Sequence, residues 1–472
     1  MRRNLLVLAL AGAASAAAAD PALTIYRADD DALFDGGGTP LADGHAIVHE
    51  QRVLELAGGR RTVVVDGLPA LLDGEAVAVD LGGAARVLAQ RVRSRGDGGL
   101  VAAHRGERVQ AFGDGDRPIV DGVLIAADGD GLAVRGADGH VDYVRRYARL
   151  AFPEASGLPG STLQLVVDGG AGRASANLTY PTGGLGWRAA YAASLADGAE
   201  CRLRLDALAS IANRSGRDYA VATVKLIAGA PNFAKSAGAP RPMMKAMAAA
   251  AAPDALPEQS ALGDYRSYAL DGALDLPDAS VTQVPLYASR ELACARSWLY
   301  ENGGVWFPPK PMLARDAGYA GGGAIVGRLA FAAPENLPSG VLRVLTRDRD
   351  GRVELLGESR IGDVANGRDV DVALAAAFDL AAERARTAFA LDRAAHALDE
   401  GFRVTLTNSG ETPRTVTVRE HPNRWRAWSL ASSSPKPDRQ TPDTLEFRVA
   451  VPAHAKATLD YAIRYAWSAA DE

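Results

Sequence analysis

Cysteine occurs only twice in 472 residues, at Cys201 and Cys294, so the chain has no disulfide framework of the small-scaffold kind. A chain of this length buries real cores without such staples, and two or three domains are expected. Positive charge is not in excess. Lys plus Arg number 52 against 57 Asp plus Glu, a net charge of −5, and no nucleic-acid partner is expected of such a chain. Lysine itself is scarce: Lys225, Lys235, Lys245, Lys310, Lys436 and Lys456 are the full set. With Ala and Gly abundant, the preference for Arg reads as a bias towards GC-rich codons and not as phosphate or carboxylate recognition. Beyond the N-terminus no apolar run approaches the roughly 20 residues that cross a bilayer, so no transmembrane segment is expected in the mature chain.

The known catalytic signatures are also missing. No serine sits in a Gly-x-Ser-x-Gly elbow. His49-Glu50 begins like a zincin helix, but Val53 stands where the second histidine belongs. The seven histidines are scattered, and there is no Cys-x-x-Cys. Gly170-Ala171-Gly172 lies between strand-like segments with no helix to receive a pyrophosphate, and reads as a plain β-turn. Asp128-Gly129-Asp130-Gly131 and Asp348-Arg349-Asp350-Gly351 lack the distal Glu of a calcium loop and read as hairpin turns. No catalytic, metal or cofactor-binding residue is assigned, and no cofactor is expected.

What is present begins with the first 19 residues. Arg2 and Arg3, the apolar stretch Leu5 to Ala13 and the small residues Ala17-Ala18-Ala19 before Asp20-Pro21 compose a secretory signal peptide. Its removal moves the net charge from −5 to −7 by taking out Arg2 and Arg3. A periplasmic or secreted location follows, in an oxidising compartment.

After it, apolar and polar residues alternate with period two, interrupted by turn dipeptides, which points to an all-β protein. Ala174, Ala176, Leu178 and Tyr180 share one strand face; so do Cys201, Leu203, Leu205 and Ala207, and Ala222, Val224, Leu226 and Ala228. Gly122 to Val144 reads as a three-stranded meander with Asp-Gly corners. Phe402-Val404-Leu406, Val416-Val418, Phe447-Val449-Val451 and Leu459-Tyr461-Ile463-Tyr465 form a second β region. Two stretches break the pattern. Ala234 to Gly263, with three methionines and an alanine run between prolines, reads as an exposed flexible loop. Ala373 to Leu398 has helix-forming composition but no 3.6-residue stripe, and among strands it is read as extended.

The fold expectation is antiparallel β-sandwich domains preceded by a smaller N-terminal β domain. The division expected is a signal peptide at 1–19, an N-terminal β domain with the meander at 20–155, a central β domain at 156–300 carrying the loop at 234–263, and a C-terminal β-sandwich region at 301–472. Trp298, Tyr300, Trp306 and Phe307, beside Pro308-Pro309-Lys310-Pro311, suit either a ligand-stacking surface or core packing. The cluster from His421 to Trp428, with Arg424, Trp425 and Arg426, offers the same two readings. Cys201 and Cys294 are either bonded or two separate buried thiols.

Several segments together resemble a bacterial exported family, the domain of unknown function 4139. They are Leu178-Thr179-Tyr180, Gly183 to Tyr191, Ile211 to Gly216 and Val224 to Gly229, then Val404 to Asn408, Val416 to Glu420 and Leu459-Asp460-Tyr461. Val53 to Asp66 and Pro69 to Val79 look like the region that precedes this domain. The family also takes in mucoidy-inhibitor-like proteins, whose coiled-coil insertion has no counterpart here. The resemblance implies export and β-rich domains, and brings no catalytic residues with it. The function expected is non-enzymatic: binding or organising a cell-envelope protein or glycan. The alternative is a hydrolase of envelope polysaccharide or peptide acting through a carboxylate pair.

Overall fold

A computed structural model describes residues 20–36, 44–93, 101, 104–128, 130–152, 160–198, 200–229, 258–262, 265–317 and 321–471. The expected signal peptide lies outside them. Of the described residues 67% are in strands and 2% in helix, so the fold is all-β, with sandwich-like sheets. Among the described residues no helix is long and apolar enough to cross a membrane. The chain divides into two compact units, Met1–Arg188 with Leu208–Tyr287, and Ala189–Ala207 with Ala288–Glu472. That division does not follow the boundaries expected at 155 and 300, because strand pairing joins segments far apart in sequence.

The first unit is built on a long antiparallel ribbon, His45–Leu68 against Ser161–Gly183. Alternation explains it: Val48, Leu54, Leu165, Ala174, Ala176, Leu178 and Tyr180 face inward and are buried. The Gly170–Gly172 segment is not the β-turn expected of it. It continues the ribbon, with Ala171 opposite Ala57 and Gly172 opposite Leu56. Glycine inside a strand weakens it without ending it, and here the partner strand supplies the ladder bonds that a local turn would have made.

The sheet runs in the order Glu258–Leu262, Tyr265–Leu276, Tyr219–Ala228, Ala22–Tyr26, His45–Leu68, Ser161–Gly183, Ala78–Asp80, and Ala85–Arg93 also pairs with Ser161–Gly183. Of the expected loop at 234–263, residues 234–257 and 263 lie outside the described residues. Glu258–Leu262 is a correction to it: this piece is an edge strand, with Glu258 opposite Ala269. The strand is defined by backbone pairing with Tyr265–Leu276, which alternation does not report. A separate five-stranded antiparallel sheet contains the expected meander and closes over Val109, Ala111, Val120, Leu124, Leu132 and Val134. At its Asp-Gly corner the Asp128 carboxylate accepts from the amides of Asp130 and Gly131, each at 2.9 Å.

An ion cluster crosses the interior of the first unit. Glu50 accepts from Arg217 Nη2 at 2.7 Å and Nη1 at 3.0 Å, and from the Tyr180 hydroxyl at 2.8 Å; Arg52 is 3.0 Å away. Burial pushes the Glu50 carboxyl up, but the hydrogen bonds and charge of Arg217, with Arg52 and Tyr180, outweigh it and hold the carboxyl below its ordinary value.

The second unit carries a nine-stranded sheet in the order Trp428–Ser434, Ala455–Ala466, Ala397–Asn408, Asp369–Asp392, Gly322–Ala332, Ala295–Asn302, Arg414–Glu420, Leu445–Val451, Arg439–Gln440. The inward faces of Ala397–Asn408 and Ala455–Ala466 share one hydrophobic cluster with those of Arg414–Glu420 and Leu445–Val451. The stretch from Ala373 to Leu398 is extended as far as Asp392, turns at 393–396 and enters the next strand at Ala397. Two neighbouring strands pair with Asp369–Asp392 and override its helical composition. A further five-stranded sheet orders Ser280–Ala293, Arg202–Asn213, Leu185–Leu195, Gly340–Arg347 and Val353–Ile361.

Cys201 and Cys294 are joined in a disulfide across 93 residues of sequence, and the Cys294 amide donates to the Cys201 carbonyl at 3.0 Å. The bond ties the excursion Ala189–Ala207 to the rest of the second unit.

Alkylation of the denatured, non-reduced protein should add no label by intact mass, and Cys201→Ser with Cys294→Ser should lower unfolding stability by about 4 kcal/mol. Glu50→Ala, which leaves Arg217 facing an interior without its counter-charge, should cost roughly 3 kcal/mol by denaturant titration. Because the folded carboxyl lies below its ordinary value of 4.5, its stabilising contribution is complete above that pH and is lost as pH falls past it. Melting temperatures of Glu50→Gln should therefore fall less steeply in acid than those of the wild type.

Candidate functional site

Strand Ala295–Asn302 ends at Gly303-Gly304, and the chain leaves the sheet through Val305-Trp306-Phe307-Pro308-Pro309-Lys310-Pro311. Three prolines in four positions remove the amide donors a strand needs, so this stretch stays irregular. Its base is nevertheless fixed. Arg424 is buried, and its guanidinium donates to the carbonyls of Met312 and Ala314 at 2.7 Å each and of Arg315 at 2.9 Å. The Arg424 carbonyl in turn accepts from the Met312 amide at 3.0 Å, and Leu313 packs on the core of the second unit.

Arg424 is itself held by Glu400, whose Oε2 accepts from its Nε at 2.6 Å, while Arg386 Nε lies 3.0 Å from Glu400 Oε1. The ring of Phe389 lies under Arg424 and Arg386, with guanidinium carbons 5.3 and 5.6 Å from its centroid. A second buried cluster sits on the same sheet. Arg384 reaches Glu420 at 3.2 Å and the Tyr461 hydroxyl at 3.0 Å, and Asn302 donates to Glu420 at 2.9 Å. Burial lifts the Glu420 carboxyl above its ordinary range, against the pull of Arg384, Tyr461 and Asn302. Burial works against the Arg384 charge, but Tyr461 and Glu420 outweigh it and raise its pKa.

The four aromatic residues singled out from the sequence do not form one surface. Tyr300 is 1% exposed, inside the core, and cannot stack on a ligand. Trp298 is half-buried against that core, with the Arg414 guanidinium 4.4 Å from its ring centroid. Alternation explains the pair: both belong to strand Ala295–Asn302, whose side chains the sheet and core already occupy. Trp306 and Phe307 are different. Trp306 is 55% exposed, Phe307 37% and their neighbour Val305 62%, three successive apolar residues at the tip of a loop whose base is pinned. In the other cluster Trp425 is buried and Arg426 is paired with Asp471 at 3.2 Å. Arg424 and Glu400 were not singled out for this role. Their signal was available, since Glu400 falls in phase with Leu398, Phe402 and Val404 on the inward face of its strand.

The glycine- and tryptophan-containing segments quoted for the family resemblance meet in the first unit as packing. The Trp187 indole donates to the Ile227 carbonyl at 3.0 Å, and the Arg214 amide donates to the Gly184 carbonyl at 2.7 Å. Gly184 has a φ of +73°, in the left-handed region, and a Cβ there would lie 2.6 Å from the Arg214 carbonyl oxygen. Asn213 donates to the carbonyls of Arg217 and Leu276 at 2.8 and 2.9 Å and accepts from Ser215. Among the described residues no group of three or more His, Cys, Asp and Glu is placed to hold a metal ion.

Arg424→Ala should cost about 3–5 kcal/mol, because Glu400 loses one of its guanidinium partners and three carbonyls lose their donor. Arg424→Lys should recover only part of this, since one ammonium cannot reproduce the planar fork. Hydrogen exchange should rise at Met312 in both variants, with the larger rise in Arg424→Ala.

The family model for a domain of unknown function (DUF4139) matches residues 176–469. No curated protein matches the chain.

Proposed function

The chain belongs to the family of the domain of unknown function DUF4139, and from that premise we propose that it is an exported, non-enzymatic β-sandwich protein that binds or organises a component of the cell envelope. The observation that carries this reading is the tip Val305-Trp306-Phe307. Leaving three apolar side chains in water costs stability, and a base secured by Arg424 keeps them presented at a defined place. The signal-like N-terminus and the disulfide between Cys201 and Cys294 support a location outside the reducing cytoplasm. Hydrolysis through a carboxylate pair gains nothing from Glu400 and Glu420, each of which is committed to a guanidinium partner.

Crosslinking in cells that produce the full chain, followed by identification of the captured species, tests the reading. A reproducible envelope component should be recovered with the wild type and about tenfold less with Trp306→Ala and Phe307→Ala combined. Recovery of no reproducible component, or equal recovery with the variant, overturns it. Fractionation of the same cells should place the chain outside the cytoplasm with Asp20 as its first residue.

A further inference from the structure

We propose that the partner of the Val305-Trp306-Phe307 tip is a lipid surface, the head-group layer of a phospholipid bilayer into which these side chains insert. The proposal rests on the reading of the tip as the binding element. Three properties of the tip select lipid. The first is chemistry: from Val305 to Pro309 the only polar side-chain group is the Trp306 indole N–H, so the tip has little with which to match the hydroxyls of a glycan. An indole that is apolar over most of its area, with one donor, suits the boundary between acyl chains and water.

The second is area. At exposures of 62, 55 and 37%, Val305, Trp306 and Phe307 present on the order of 300 Å². A stable protein interface takes about 800 Å² from each partner, whereas a bilayer closes around a small convex apolar tip without a matched pocket.

The third is mechanical. Met312, Ala314 and Arg315 are all held by Arg424, so little ordering is required when the tip enters the bilayer. The net charge, −5 for the full chain and −7 for the exported one, gives no general attraction to anionic head groups. Apolar insertion is therefore the driving term, and binding should survive high salt.

The exported chain, mixed with sedimentable vesicles of phosphatidylethanolamine and phosphatidylglycerol, provides the test. The wild type should co-sediment at low and high salt alike. Trp306→Ser with Phe307→Ser should lower the bound fraction about tenfold. Phe378→Ser removes an aromatic side chain that is 102% exposed on a different element, strand Asp369–Asp392, and should leave binding within about twofold of the wild type. Lipids brominated on the acyl chain should quench the Trp306 contribution to emission, and Trp306→Phe should bind while losing that quenching. Unchanged circular dichroism of the double variant separates loss of binding from loss of fold.

Wild-type protein that remains in the supernatant, or a double variant that sediments equally, overturns the proposal. If vesicles are ignored while crosslinking in cells still captures an envelope protein or glycan in a tip-dependent way, the lipid partner falls and the wider reading stands. If capture is also independent of the tip, both fall.

Discussion

A carboxylate taken out of water must be matched by positive charge and hydrogen bonds, and in the second unit Glu400 meets that requirement with two arginines. Much else there depends on it. Arg424 can be buried because Glu400 neutralises it, and once buried it has donors left over for the carbonyls of Met312, Ala314 and Arg315. Phe389 covers the same guanidinium groups. A loop rich in proline and lacking strand partners thereby acquires a fixed base. Apolar residues of matching volume at Glu400, Arg386 and Arg424 would fill the same space without any buried charge, yet they would offer those three carbonyls nothing. The charge in this core serves to place a loop.

The same device recurs in the first unit, where Glu50 joins Arg217, Arg52 and Tyr180. In both units the charged residue lies on a strand and in phase with its apolar neighbours: Glu50 follows Ala46 and Val48, Glu420 follows Val416 and Val418, and Arg384 follows Leu380 and Ala382. Strand geometry alone sends such a side chain inward.

That phase relation explains what was legible in the sequence and what was not. The alternation at Ala174 to Tyr180 and at Leu459 to Tyr465 was sufficient to place strands and their buried faces, because burial on one face is a local property of the pattern. Partner strands are not local. The glycines at 170 and 172 carried a turn signal that the facing strand His45–Leu68 converted into a continuous ladder. Tyr300 and Trp306, six residues apart, looked equivalent as aromatics, and only the point at which Ala295–Asn302 leaves the sheet separates core from tip. Arg424 was visible as a charge beside Trp425, but its carbonyl partners lie more than a hundred residues earlier, beyond the reach of spacing arguments.

The disulfide has a consequence for the chain under tension. With Cys201 and Cys294 bonded, a pull on the two ends passes through the sulfur bridge and bypasses the polypeptide between them. The bypassed length, 93 residues at about 3.4 Å each, is roughly 300 Å of contour that stretching cannot release while the bond is intact. The strands Tyr219–Ala228 and Tyr265–Leu276 lie within that shielded span, so the first unit keeps this part of its sheet out of the line of force even when its N-terminal strands are peeled away.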